Sequence, residues 1–236
     1  GLKTKVLIEE LIKQKRDFQY LPIDISQNAI DNLEADLKIT FPSLNVEGQQ
    51  GEYFEVLEKL KKHRHRKKVI MFLGSNIGNL KHQRAISFLH HLKESLHQED
   101  VVFIGFDMKK DPNTILNAYN DKQGVTAAFN LNLLHRINRE LEGNFDVDKF
   151  QHRPLYDPET GTAKSFLVSS EKQSVYLAKP DKTIEFEAWE SIHTEISQKY
   201  DQQIVHWLCE KSGLKEIKLF TDVNKSFANY LLKGTF

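Results

Sequence analysis

The stretch VIMFLGSNIGNL, residues 69–80, joins an unbroken apolar run to a turn rich in glycine and asparagine. Val69 to Leu73 has no polar alternation, which predicts a strand covered on both faces. Gly74 to Asn79 is then the loop at its carboxyl end. Working outward, the same unit recurs. Phe18 to Ile25 (FQYLPIDI) reads as a strand ending near the acid Asp24. Ser26 caps a helix through Leu37, whose buried face is Ile30, Leu33 and Leu37. Leu44 to Val46 is a short strand and Glu52 to Arg66 a helix. After the turn come a helix from His82 to Leu96 and a strand from Val101 to Asp107. Repeated strand–helix units with short connections predict an α/β fold with a parallel, doubly wound sheet.

Beyond Asp107 the pattern changes. Asn113 to Tyr119 and Val125 to Leu141 are helical in period. Ala163 to Ser170 and Gln173 to Leu177 suggest a hairpin around Glu171-Lys172, with further strands at Thr183 to Phe186 and Ser191 to Ser197. The tail reads as a helix from Gln198 to Ser212 and strands at Glu216 to Phe220 and Phe227 to Leu232, able to return to the first sheet. The expected organisation is an α/β domain, residues 1–108 and 200–236, interrupted by an α+β insert, residues 109–199. A helix from Leu2 to Arg16 with no strand before it predicts that the numbering begins inside a larger protein, so that the start of this domain precedes Gly1.

Composition narrows the class. The chain has 236 residues, with 33 Lys+Arg against 33 Asp+Glu, 39% hydrophobic and 10% aromatic residues. Those values exclude a disordered, collagenous or coiled-coil chain. No apolar run approaches the roughly 18–20 residues that span a bilayer, and no signal peptide is visible. Zero formal charge argues against a surface built to hold nucleic acid. The single Cys209 excludes an internal disulfide framework and a cysteine-based zinc site. The expectation is a cytoplasmic, monomeric globular protein with a small-molecule partner, no nucleic acid, no membrane and no metal.

In an open α/β sheet, ligands bind beyond the carboxyl ends of the strands. Asp24 stands at one such end, where an acid accepts both ribose hydroxyls of a nucleotide. Glu52-Tyr53 follows the next strand, an acceptor for an exocyclic amine beside an aromatic face. Gly74 to Asn79 follows the next, and its glycines let backbone approach a ligand. Taken singly these are a capping acid, a helix start and a tight turn. In order, one per strand end, they favour a nucleoside-containing cofactor. A complete Gly-x-Gly-x-x-Gly and a Gly-x-x-x-x-Gly-Lys-Ser/Thr are both missing, which weakens NAD and nucleoside triphosphate. An acid for ribose with an acidic–aromatic pair for adenine suits S-adenosylmethionine.

Three longer segments go further: FLGSNIGNL (Phe72 to Leu80), AYNDKQGVTAAFNLNLLHRINRELEGNF (Ala118 to Phe145) and IHTEISQKY (Ile192 to Tyr200). They resemble the histidine-specific N-alpha-methyltransferases that make hercynine for ergothioneine biosynthesis. The resemblance runs along essentially the whole chain. It implies a Rossmann-like S-adenosylmethionine methyltransferase sheet with an inserted α+β substrate domain, and methylation of the α-amino nitrogen of L-histidine up to the trimethylated betaine. It also implies roles. The GLKTK start matches the tail of the family's first glycine-rich cofactor loop, with Lys3 as its cofactor-contacting lysine. Asp24 matches the ribose acid, Glu52 and Tyr53 an Asp-Phe pair beside adenine, and Gly74 the point where the strand meets the cofactor. Asn79 and Tyr119 match the residues that hold the amino-acid head. Glu195 and Ser197, flanking Ile196, match the pair that reads the imidazole. The family further uses tyrosines from a segment N-terminal to this chain.

The chemistry suits those roles. An asparagine amide donates and accepts, a tyrosine hydroxyl donates to a carboxylate, a glutamate accepts an N–H, and a serine serves the second ring nitrogen. Glu195 and Ser197 are two apart on a predicted strand and so share a face. Two alternatives stay open: a related methyltransferase acting on another amino acid or amine, and a noncatalytic nucleoside- or RNA-binding relative. The basic run Lys61 to Lys68 (KKHRHRKK) would suit the latter, although a solvated turn at a helix end explains it as well. His63, His65, His90 and His91 lack i,i+4 metal spacing. His152 and His193 are candidates for the border of the substrate site. Cys209 reads as a buried helix thiol, and Trp189 as packing for the insert.

Overall fold

A computed structural model describes residues 2–61 and 66–236. His63 and His65, and the middle of the basic run at 62–65, lie outside the described residues. The chain divides into two compact units, residues 1–67 with 94–97 and residues 68–93 with 98–236.

The first unit opens with α1 (Leu2–Lys13), followed by a turn in which Lys15 has φ 54°. The predicted strand at 18–25 is split into β1 (Gln19–Tyr20) and β2 (Ile23–Asp24). Pro22 is the reason, since proline has no N–H to give a ladder; its carbonyl instead accepts from Gln49 N at 2.8 Å. β1 runs parallel to β3 (Asn45–Val46), and β2 parallel to β4 (Gln49–Gln50). Between them lies α2 (Gln27–Thr40), capped as expected by Ser26, whose Oγ accepts from Ala29 N at 3.3 Å. α3 (Tyr53–Leu60) is shorter than predicted, and Arg66 is not helical.

The second unit is built on β5 (Val69–Phe72) and β6 (Val101–Asp107), which are parallel, with α4 (His82–Glu94) between them in sequence. The tail returns to this sheet as expected. β13 (Phe227–Gly234) lies antiparallel to β6, and β12 (Leu214–Thr221) antiparallel to β13. In this sheet β5 and β6 are thus the parallel pair, and the tail supplies the antiparallel strands. Val69 is exposed and Phe72 buried, so the apolar run is not covered on both faces along its whole length.

Two helices follow β6. α5 (Pro112–Tyr119) starts with proline at its first turn, where the missing N–H costs nothing; the Asp111 carboxylate accepts from Thr114 N at 2.7 Å. α6 (Val125–Leu141) is held at its start by Asp121, which accepts from the N–H groups of Val125 and Thr126. These bonds, Thr126 first, pull the Asp121 carboxyl down to about 2.

Then come β7 (Phe150–Asp157), β8 (Thr162–Ser169), β9 (Gln173–Leu177), β10 (Lys182–Phe186) and β11 (Ser191–Gln198). β8 is the centre of an antiparallel sheet between β7 and β11, while β9 pairs with β10. The predicted hairpin between 163–170 and 173–177 is therefore corrected: each of those strands pairs elsewhere. β7 carries Pro154, which lowers its strand signal. Leu134, Phe145, Phe150, Leu167, Val175, Leu177 and Phe186 form the core of this region, at roughly 1.5–3 kcal/mol for each large apolar side chain buried.

The predicted helix at 198–212 begins later, as α7 (Gln202–Ser212), with Asp201 Oδ1 accepting from Ile204 N. Cys209 is a buried helix thiol, raised by burial to about 12. Trp189 does not pack the insert: its side chain is exposed, on a residue with φ 71°.

Candidate active site

In the first unit, chain order brings Asp24 and Tyr53 together. Gly51 N donates to Asp24 O at 3.1 Å, tying the end of β4 to the end of β2 just before α3 begins. The Asp24 side chain is exposed, and its Oδ1 accepts from Ser26 N at 2.8 Å. Burial and then the nearby Asp24 charge push the Tyr53 phenol above its ordinary value. Glu52, exposed, occupies the N-cap position of α3 without a side-chain capping bond. Lys3 is exposed in the first turn of α1, a helix rather than a loop.

In the second unit, β5 runs into Gly74, at φ 78° with nothing within 4 Å of where a Cβ would stand. Ser75 Oγ accepts from Asp107 N at 2.9 Å, which joins this turn to the end of β6. At Gly78 the turn meets β11: an added Cβ would lie 2.9 Å from Gln198 O and 3.5 Å from Ser197 Oγ. Only glycine fits that approach, and the exposed Asn79 is thereby presented next to the end of β11. Tyr200 fixes the same contact by donating from its hydroxyl to Ile77 O at 3.0 Å.

β11 has an irregularity between His193 and Glu195, with Thr194 as the extra residue. The Thr194 hydroxyl shares its one proton between two acceptors, Asn130 Oδ1 at 2.7 Å and Ser165 O at 3.1 Å. Such a bulge re-aims the residues that follow it. Past it, Glu195, Ser197 and Lys199 alternate onto one side, and Ile196 and Gln198 onto the other. Ile196 and Gln198 line a groove of about 440 Å³ with Lys81, His82 and Lys109. The structure thus separates Ile196 from Glu195 and Ser197.

Lys199 was not among the candidates from sequence, yet it is the centre of this side. Its Nζ lies 2.8 Å from Asp107 Oδ2, 2.8 Å from Tyr119 Oη and 2.9 Å from Ser197 Oγ. Burial would lower its pKa, but the bonds to Asp107 and Tyr119 outweigh it and hold the ammonium above its ordinary value. The backbone places it: Lys199 N donates to Gly161 O, Tyr200 N donates to Asp107 O, and Lys109 N donates to Tyr200 O. Reading 198–212 as a helix concealed this residue; strand alternation carried two residues further would have found it.

Glu195 is half-buried and pairs with Ser165 in the ladder, while its carboxylate has no hydrogen bond or ion pair among the described residues. The two histidine candidates do not join the cluster. His152 Nε2 is 3.1 Å from Ser165 Oγ, and His193 is exposed against the Phe166 ring. Among the described residues no group of histidine, cysteine or acid side chains is arranged to hold a metal, and no helix is long and apolar enough to cross a membrane. Taken together, the second unit offers an amide, two hydroxyls and an unpartnered carboxylate along one strand end. Such a set can hold a small zwitterion at one end and a ring with nitrogens at the other.

Comparison with known proteins bears on the same chain. The family model for histidine-specific, S-adenosylmethionine-dependent methyltransferases matches residues 1–234. The histidine N-alpha-methyltransferase of Mycolicibacterium smegmatis is 31% identical over 220 residues, covering 93% of this chain and 68% of that protein. Ergothioneine biosynthesis protein 1 of Schizosaccharomyces pombe is 24% identical over 240 residues, covering 99% of this chain and 31% of that protein. A solved S-adenosylmethionine-dependent methyltransferase from Clostridium acetobutylicum aligns with a TM-score of 0.47 at 10% identity, covering 98% of this chain and 80% of that chain.

Proposed function

The chain belongs to the histidine-specific, S-adenosylmethionine-dependent methyltransferase family, and from that premise we propose that it methylates the α-amino nitrogen of L-histidine, up to the trimethylated betaine. It is an S-adenosylmethionine-dependent N-methyltransferase with a Rossmann-like α/β fold. When bound, S-adenosylmethionine supplies a methyl group on a sulfonium, already activated for displacement.

The residues of the first unit suit the adenosine part. Asp24 is an exposed strand-end carboxylate with one oxygen steadied by Ser26 N, and a carboxylate has further lone pairs for ribose hydroxyls. Tyr53 would offer its ring to the adenine and Glu52 an acceptor to its amine. Lys3 and, in the second unit, Gly74 complete the proposed cofactor residues. Residues 109–199 would form the substrate insert, and 1–108 with 200–236 the methyltransferase domain.

Histidine would then be held by the second unit. Asn79 and Tyr119 take the amino-acid head, and Glu195 with Ser197 takes the imidazole. Ile196, on the other side of β11, would contribute no more than backbone. The observation that carries this reading is the convergence of Tyr119 and Ser197 on one ammonium, with Glu195 two residues before Ser197 on the same side. What these residues supply to the reaction is alignment and exclusion of water. Each transfer forms an N–C bond while the C–S bond breaks, and the electron pair leaves with sulfur. The nitrogen must enter without its extra proton, so each methylation releases one proton to solvent. A cytoplasmic setting completes the proposal, supported by the lone, buried Cys209.

The test is a methyl-transfer assay offering a mixture of amino acids, with products read by mass. Histidine gaining 14 mass units per methyl, up to three methyls, supports the reading; methylation of another amino acid, or none, sinks it.

A further inference from the structure

The buried ammonium of Lys199 goes beyond this assignment, and its role rests on reading the cluster as the histidine site. An ammonium has three donors and no acceptor. Here three oxygens take them: Asp107 Oδ2, Tyr119 Oη and Ser197 Oγ. Lys199 is 3% exposed, so water does not compete for these donors. Both hydroxyls must therefore accept from Lys199, and neither can direct its own proton along that same line. Among the described residues neither hydroxyl donates to another group. Their O–H bonds are left to point away from Lys199.

We infer that Lys199 is a positioning residue that fixes the hydrogen-bond polarity of the substrate site, turning both Tyr119 and Ser197 into outward donors. Tyr119 then donates to the substrate carboxylate. Ser197 donates to the bare nitrogen of the imidazole, and Glu195 receives the ring N–H. The ring selected is the neutral one, with one N–H and one lone pair. A doubly protonated ring would bring a second N–H toward a hydroxyl whose neighbour is already an ammonium 2.9 Å away. One lysine thus couples the head-binding and ring-binding ends.

A plain structural clamp between Lys199 and Asp107 is the competing account, and a double-mutant cycle separates the two. Lys199→Met keeps the length of the side chain, and Asp107 keeps its bond to Lys110 at 2.6 Å. In the otherwise unchanged protein, Lys199→Met should lower kcat/KM for histidine by ten- to a hundredfold. In a Tyr119→Phe/Ser197→Ala background the same change should cost less than threefold, because the hydroxyls it orients are gone. Equal losses in both backgrounds would overturn the inference. If Lys199→Met does not fold, the unaltered protein decides. Pyrrol-2-ylalanine and pyrrol-3-ylalanine each keep one ring N–H and lack the bare nitrogen. Both should be used at least tenfold less efficiently than histidine, and equal efficiency of either would overturn the donor role of Ser197. Failure of the unaltered protein to methylate histidine at all would overturn the underlying function as well. Normal methylation with an additive cycle would overturn this inference alone.

Discussion

Replacing Glu195 by alanine tests the substrate assignment most directly. The carboxylate is half-buried and has no partner among the described residues. Burying a charge unpaired is costly, so the site is completed only when a ligand brings a donor. An imidazole N–H does so through a charge-assisted bond worth roughly 1.5–3 kcal/mol. Since ~1.4 kcal/mol is a factor of ten in rate, Glu195→Ala should lower kcat/KM for histidine by about ten- to a hundredfold. An apolar amino acid behaves oppositely. Phenylalanine or leucine would leave the carboxylate dry and unpaired in the native site, a penalty that alanine removes. The ratio of kcat/KM for histidine over phenylalanine should therefore fall by more than the loss on histidine alone. Glu195→Gln keeps an acceptor oxygen without the charge and should fall between the two. Kinetics on purified variants of matched thermal stability provide the measurement. A ratio that stays constant would show that Glu195 does not read the ring, and the histidine assignment would lose its main physical support.

Other outcomes are expected elsewhere. Asp24→Ala should weaken S-adenosylmethionine binding at least tenfold in a calorimetric titration while the melting temperature holds; unchanged affinity removes Asp24 from the cofactor site. Gly78→Ala brings a methyl group to 2.9 Å from Gln198 O, so it should lower kcat/KM for all substrates alike by forcing the turn off β11, and full activity would refute that contact. Burial holds His82 and His152 below their ordinary 6.5, so the unfolded chain takes up these protons first; stability from the neutral rings should be complete above about pH 6.5 and fall as pH drops through that window toward the lower folded values. A urea midpoint that is flat or rising from pH 7.5 to 5.5 would contradict this. Cys209, buried with its thiol raised to about 12, should resist alkylation at pH 8 in the native protein and react on unfolding.

What could be read from the sequence was what neighbours along the chain decide. Ser26 marks a helix start because capping involves residues within a single turn. The strand at 101–107 and the helix at 125–141 follow from their own periodicity. Pairing between strands did not follow. β8 has the composition of a hairpin partner for β9, but its two neighbours are β7 and β11, the latter more than twenty residues away. The turn that makes a hairpin with β8 is Asp157 to Gly161, where Asp157 accepts from Glu159 N and from the Thr160 hydroxyl. Pro154, which cannot donate to a ladder, kept the strand before that turn from view.

The candidate site divides along the same line. Glu195 and Ser197 come from the family resemblance, and only their shared strand face follows from a two-residue spacing that needs no knowledge of the rest of the fold. Lys199 continues that spacing, yet its meaning depends on Asp107, which lies ninety-two residues earlier in the chain. A lysine after a strand and an aspartate ending another are each uninformative until Tyr200 N donates to Asp107 O and sets the two strand ends side by side. Once they are, the pair ceases to be an ordinary ion pair, because Lys199 has two donors left over and two hydroxyls to spend them on. The acidic partner keeps the lysine charged, the charge sets the direction of both hydroxyls, and that direction determines which form of an imidazole the site can accept. On the proposed reading, specificity for a small polar ring would rest on the buried Lys199 and its half-buried partner Asp107, through the hydroxyls they orient.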